Sequence, residues 1–299
     1  MTEECRMQNA ECRRASRVRV CILHSAFCIL FAATLAAQMN AYTPITPIPL
    51  GDTYLSLPSS HIAGHGSWEV KFTHRFNQSL DQGSFSDRVH SLWGLDSNAD
   101  VGIGLSYAVR PDLQFSFYRS NALDDIELGA KYLVIQQAAA VPLSVALRAG
   151  GDIRTEAGVT DRTSVFAQAV VSHQFGRAEI FAVPTFVTNA GRAVSGQASV
   201  ALFKHAANVP VGFAYVLTDA LSVVGEVIPT NRDLPDGVHA DFAWALGLKR
   251  AIGGHYFEIL ITNSNATHAD QYVTSTYMGT PLNKSDIHLG FNIERRFGH

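Results

Sequence analysis

His61 and His65 stand four apart in "HIAGHG", a spacing that lets two imidazoles share one metal ion when the backbone between them is helical. Two glycines within six residues make a poor helix, so the pair reads as solvated loop histidines and no metal ligand set is assigned. His74 in "THRF" and His173 in "VVSHQFGR" are odder, because each falls on an apolar face. A hydrolytic histidine needs a nucleophile and an orienting acid gathered about it. No local serine motif supplies one, so both read as interfacial histidines, and neither a catalytic residue nor a cofactor is predicted. Gly102 and Gly104 resemble a phosphate-loop spacing only superficially, since no helix follows them.

Charge offers more. Glu69, Lys71, Arg75, Glu127, Lys131, Arg148, Glu226, Lys249, Glu258, Glu294 and Arg296 share one property: each alternates with apolar neighbours along an extended stretch. Five acids face six bases. A selective pore usually carries a ring of one sign. A nearly balanced set reads more simply as ion pairs bracing a wall, because buried charges need partners. A narrow conduit for small polar solutes is the other reading. The longer connections, by contrast, are acidic: thirteen Asp and Glu, among them Asp125, Asp152 and Asp270, stand against seven bases. Solvation explains that bias; divalent-cation bridging to anionic lipid heads, or capture of cationic ligands, is the sharper alternative.

The elements that must position these residues are strands. Side chains on a strand point alternately to opposite faces. In "SWEVKFTHRF" Trp68, Val70, Phe72, His74 and Phe76 share one face, and Glu69, Lys71, Thr73 and Arg75 the other. The same period recurs through twelve stretches, the last covering 285–297; 195–204 either extends the strand that follows or forms an excursion in a loop. No convincing amphipathic helix appears after residue 37. Short connections (110–112, 136–140, 176–177, 218–220, 251–254) alternate with long ones (77–100, 152–162, 189–207, 230–240, 264–284). This is the layout of an all-β fold, a single antiparallel transmembrane β-barrel of about 12 strands with short periplasmic turns and longer outer loops. Closure pairs every strand and leaves no edge in lipid. A soluble β-sandwich or barrel shares the period, but its outward faces should carry many Lys and Glu; here they are continuously apolar. Phe297, near the end of the last strand, resembles the aromatic last-strand signal of outer-membrane barrels.

Composition agrees. Hydrophobic residues make up 47% and charged residues 16%, the latter well below the roughly 25% of soluble domains. The net charge of -3 argues against nucleic acid as a partner. All four cysteines lie in the first 28 residues, where five arginines precede the apolar run "VCILHSAFCILFAATLAA". That pattern predicts a signal peptide over 1–37 cleaved near Ala37, rather than a permanent anchor. Met7 is a second candidate start. Cleavage leaves 18 basic and 23 acidic side chains, net -5, and no cysteine. Disulfides, zinc-cysteine sites, cysteine nucleophiles and a lipoprotein anchor are thereby excluded. Residues 38–65, with Pro44, Pro47, Pro49 and Pro58, predict a loosely held N-terminal periplasmic arm before a barrel over 66–299.

Several phrases, "HRF" at 74–76, "GLD" at 94–96, "YAVRPDLQFSFYRS" at 107–120, "KYLVIQQ" at 131–137 and "GEVIP" at 225–229, resemble a family of bacterial outer-membrane β-barrel proteins of unknown function. The resemblance covers most of residues 55–299. It implies the fold and a bacterial outer-membrane location, with outer-membrane lipids and the barrel-assembly machinery as partners, and it brings no activity. The functional expectation is a narrow passive conduit or a structural or interaction barrel. A lipid-modifying hydrolase and a soluble periplasmic β-barrel binding protein are the alternatives.

Overall fold

A computed structural model of the chain describes residues 48–298 apart from 161, 192, 196–197, 201, 232–233 and 235–236. The expected signal peptide and the first part of the arm lie outside the described residues.

Strand formation follows the period-two pattern closely. The barrel strands are β1 (Trp68–Phe76), β2 (Ala99–Arg110), β3 (Leu113–Ser120), β4 (Asp125–Ile135), β5 (Ser144–Arg154) and β6 (Thr163–Phe175), then β7 in two halves (Ala178–Ala182 and Thr185–Ala190). They continue with β8 in two halves (Phe203–Asn208 and Val211–Thr218), β9 (Leu221–Ile228), β10 (Ala243–Ile252), β11 (His255–Thr262) and β12 (His288–Phe297). Each pairs antiparallel with its neighbours, and β1 pairs with β12, so the ring of twelve closes. Closure sets Trp68 opposite Phe297, Glu69 opposite Arg296 and Lys71 opposite Glu294.

Local chemistry shapes the details. Gly253 and Gly254 both take positive φ and turn β10 into β11 with two residues, the preference of a primed hairpin turn. β7 breaks at Pro184 and β8 at Pro210, and the breaks abut: Val183 donates its N–H to the Pro210 carbonyl at 2.8 Å. A proline cannot donate to a ladder, so two adjacent ones interrupt both strands at one level. The stretch 195–204 does both things its pattern allows. Phe203–Asn208 extends β8, while Ala193–Ser195 and Ala198–Val200 pair as a small excursion. Two short helices occur in connections that read as loop: α1 (Phe85–His90), closed by a Ser84–Asp87 capping box, and the single turn α2 (Ala269–Tyr272).

The two faces of the wall differ sharply. Outward residues are apolar and uncovered; Ile259 is 65% exposed and Val165 60%. Trp68, Tyr132, Phe175, Tyr215 and Phe297 are exposed at the short-turn end, and Trp68 stacks on Tyr107 at 4.2 Å. This is an apolar band with an aromatic girdle. His74 lies on it against Phe291, rings 4.8 Å apart, and Arg295 covers Phe297 at 5.0 Å.

The interior is full. The arm was expected to be loosely held in the periplasm, but from Ile48 onward it runs inside the barrel, where Leu50, Tyr54, Leu55 and Leu57 are completely buried. The reason is its own apolar side chains: proline density keeps the segment extended, and Leu and Tyr still require cover. From the other end, the connection after β11 also folds inward. Its residues Ser264 to Thr276 are buried apart from the half-buried Thr267, with Val273 and Thr274 fully so. Both segments join one apolar cluster with Phe166, Phe181, Val224 and Leu260. Gly102 makes room for a polar contact along the wall, since a Cβ there would collide with the Tyr118 hydroxyl of β3, which bonds Thr73 of β1 over β2 at 2.6 Å.

Candidate functional site: the clasped lumen

The wall grips the arm through charge. On β9, Glu226 turns its carboxylate to three successive arm amides: Leu55, Ser56 and Leu57 donate to Oε1 at 2.8, 3.1 and 3.1 Å. Lys249 on β10 donates to the carbonyls of Thr53 and Tyr54 at 2.6 and 3.2 Å and pairs with Glu258 of β11 at 2.6 Å. Lys131 on β4 donates to the carbonyls of His61 and Ser59 at 2.6 and 3.2 Å and forms an ion pair with Asp52. Asp52 also accepts from Gln114 at 2.7 Å and gives its N–H to Glu69 at 2.9 Å. Burial works to raise the Asp52 carboxyl, but the Lys131 ammonium beside it more than offsets this and holds it well below the usual carboxylate range.

The remaining charges close the clasp. Thr53 donates to Glu294 at 2.8 Å and accepts from Lys71 at 2.9 Å. Arg296 bonds Glu69 through Nε and Nη2 at 3.0 and 2.9 Å. Arg75, fully buried, donates to Asn292 at 2.8 Å, and that Asn292 donates to the Leu55 carbonyl at 2.9 Å. Arg148 pairs with Glu127, donates to Gln168 at 2.7 Å and lies over the Phe166 ring at 4.5 Å. Each of the eleven charged residues thus has a partner inside the barrel, and Glu69, Lys71, Arg75, Lys131, Glu226, Lys249 and Glu294 touch the arm itself.

Sequence reasoning missed Glu179 on β7. It accepts from the Tyr54 hydroxyl at 2.5 Å and sits 3.4 Å from His61, while Tyr54 stacks on Phe181 with centroids 3.5 Å apart. Its alternation with Ile180 carried the same signal as the other wall charges. His61, read as a solvated loop histidine, is therefore engaged, whereas His65 is exposed.

A second polar group lies at the long-loop end. Asp125, Asp152, Arg154, His268 and Asp270 are all fully buried. Asp125, Asp152 and Asp270, which their place in acidic connections would put in solvent, are instead enclosed, because β4 and β5 run up to them and the inward loop caps them. Arg154 pairs with Asp270 and lies 3.9 Å from Asp125.

Scanned against known families, residues 51–297 match the model described as a membrane-bound beta barrel domain (DUF5777). The chain belongs to this family. With a closed barrel of transmembrane type, it is a bacterial outer-membrane β-barrel in contact with outer-membrane lipids. The soluble periplasmic alternative falls to the same facts. Among solved structures the chain is similar to the NanC porin, at 9% identity and TM-score 0.47 over 78% of this chain and all of that one. It is also similar to an outer-membrane channel of Pseudomonas putida F1, at 10% identity and TM-score 0.47 over 79% and 97%. A third is the Acinetobacter baumannii outer membrane protein Omp33, at 9% and 0.40 over 78% and 98%. None of these figures bears on what this chain carries or binds. Comparison with curated proteins finds no match.

One arrangement in this family member has the order of a hydrolase. His268 Nε2 lies 3.0 Å from Ser120 Oγ, and its Nδ1 lies 3.3 Å from Asp152 Oδ1. A working nucleophile needs a place for substrate. Ser120 is buried, and the neighbouring cavity of about 60 Å³ between arm and loop is lined by Tyr118, Thr267 and Tyr272 rather than by Ser120. The trio holds a loop in place, and neither His74 nor His173 is near it: His74 stacks on Phe291, and His173 contacts the Pro142 carbonyl.

Proposed function

We propose that this protein is a narrow conduit for small polar solutes that rests closed, with its own N-terminal arm as the plug. The observation that carries this reading is the way the arm is held. Wall carboxylates and ammonium groups bind arm backbone amides and carbonyls, and the same groups would line a hydrated passage once the arm withdrew. Several of these charges also pair with one another, but Glu226, Lys131 and Lys249 direct bonds to arm backbone groups, which bracing of the wall alone does not require. The lumen charges Glu69, Lys71, Arg75, Glu127, Lys131, Arg148, Glu226, Lys249, Glu258, Glu294 and Arg296 are then the lining, and the seven of them that touch the arm are also the clasp. In this reading the short turns and the arm face the periplasm, the long loops face outward, and Phe297 is the mark read by the barrel-assembly machinery.

Planar-bilayer conductance tests it. The full-length barrel should be silent, and a variant lacking residues 48–60 should conduct. If that variant inserts, shows heat-modifiable mobility and remains silent, the conduit reading fails and a structural or interaction barrel stands in its place.

A further inference from the structure

We infer that Asp125, Asp152, Asp270 and His268 form a binding site for one divalent cation, of the kind that accepts mixed oxygen and imidazole ligands. The site joins the inward loop to the wall. Asp125 and Asp152 come from β4 and β5, and His268 and Asp270 from the loop that enters from the long-loop end.

Geometry comes first. One donor atom from each of the four residues lies within 4.8 Å of every other. Four donors no more than 4.8 Å apart fit around a common centre at about 3 Å or less, so small side-chain shifts bring them to the roughly 2.0–2.6 Å ligand distances of divalent cations. Charge comes second. Three carboxylates face one guanidinium, Arg154, in a fully buried setting. A surplus of two negative charges requires either protons or a cation.

The third argument is independent of the clustering. Asp125 Oδ1, Asp152 Oδ2 and Asp270 Oδ1 are buried without any hydrogen-bond partner. A native interior rarely leaves even one such oxygen unmatched. The imidazole is also within reach of the group. Its Nε2 lies 3.0 Å from Ser120 Oγ, which can accept an Nε2–H. In that tautomer Nδ1 turns its lone pair toward Asp152 and Asp125, 3.3 and 3.9 Å away, as a ligand to an ion held between them would. A hydroxyl that accepts from the far ring nitrogen is the usual companion of a histidine ligand.

Three oxygen donors and one imidazole suit Mn²⁺ or Zn²⁺ better than Ca²⁺ or Mg²⁺, which prefer oxygen alone. The competing arrangement places a proton on His268 and binds no metal. The inference goes beyond the conduit reading and does not depend on whether the barrel conducts.

The test uses protein purified from outer membranes into detergent, stripped with chelator and titrated with Mn²⁺, following the free-ion signal by electron paramagnetic resonance. The expected result is one Mn²⁺ per chain, displaced by Zn²⁺ and poorly by Mg²⁺ or Ca²⁺, with a raised thermal midpoint. Asp152→Asn and Asp270→Asn should each weaken binding at least tenfold, while Asp96→Asn, at an exposed loop position, should bind like the parent. If either buried variant loses its heat-modifiable mobility, His268→Gln takes its place. Failure of the parent chain to take up a stoichiometric ion overturns the site, as does equal binding by parent and buried variants. Ready displacement of Mn²⁺ by equimolar Ca²⁺ overturns the donor-class assignment.

Discussion

Replacing Glu226 with Ala should free the plug while leaving the barrel inserted. The carboxylate receives three arm amides, from Leu55, Ser56 and Leu57. A hydrogen bond to a charged acceptor contributes roughly 1.5–3 kcal/mol, and the orphaned donors carry their own desolvation penalty. The three share one acceptor and are not additive, so a total of about 3–5 kcal/mol is the working figure. The β9 ladder to β8 and β10 is untouched, so insertion should persist. The predicted mature chain has no cysteine, which makes an introduced thiol unique. Ser59→Cys places one at a fully buried arm position. In the Glu226 background it should be labelled slowly by a water-soluble maleimide. With Glu226→Ala the labelling rate should rise on the order of 100-fold or more, since each 1.4 kcal/mol is tenfold in the open population. Equal labelling rates in the two backgrounds, with both proteins inserted, would refute the claim that wall carboxylates hold the arm.

Tyr54→Phe removes the hydroxyl that bonds Glu179 and keeps the stacking on Phe181, so it should raise Ser59→Cys labelling more modestly, for a loss of about 1–2 kcal/mol. The Asp52–Lys131 pair sets an acid limit. The folded-state carboxyl lies below its ordinary value of 3.8, so its stabilisation is complete above that value and is lost as pH falls through the folded one. Labelling should therefore accelerate on acidification below about pH 4, and Asp52→Asn should flatten that dependence; an unchanged profile would remove Asp52 from the clasp. On the lipid face, Ile259→Arg should cost about 2–4 kcal/mol in refolding into lipid near the bilayer midplane. Lys71→Ala should leave insertion intact; the opposite ranking in a refolding assay would invert the assignment of faces.

Strand number, closure and the two faces were legible because the period is two, and a one-residue slip would turn every apolar side chain inward. Leu128, Glu127 and Lys131 could be sorted from one another by position alone. The arm was not legible by that rule. It has no period, and its prolines pointed to a solvated tail, while Leu50, Tyr54, Leu55 and Leu57 pointed to burial. Tertiary cover decided between them. The buried acids at the long-loop end escaped for a different reason. Asp125 and Asp152 sit at strand ends, where boundaries are least certain, and Asp270 lies 118 positions after Asp152 in the chain. The stretch 263–276, "NSNATHADQYVTST", did carry a signal in retrospect. It has one acid, no lysine or arginine, and an aromatic beside a valine, which is unusual for a loop bathed in solvent.

The arm's energetics explain why its grip is polar. Burying Leu50, Tyr54, Leu55 and Leu57 contributes roughly 6–12 kcal/mol at the usual value per large apolar side chain. Ordering the backbone of about a dozen residues costs on the order of 12–24 kcal/mol. Apolar burial alone leaves the arm outside the barrel or barely balanced. Glu226 adds three charge-assisted bonds to amides, Lys249 two to carbonyls, and Lys131 two more. With about 3–5 kcal/mol for the Glu226 trio and roughly 1.5–3 for each of the four lysine bonds, these supply about 9–17 kcal/mol, which brings the sum to a surplus of a few kcal/mol. A plug held by so small a surplus is displaced by the loss of one wall charge, by acid at Asp52, or by a solute that competes for the same groups. An arm packed into an all-apolar lumen would respond to none of these. On the conduit reading, the wall charges would therefore set the resting state and also determine what releases it.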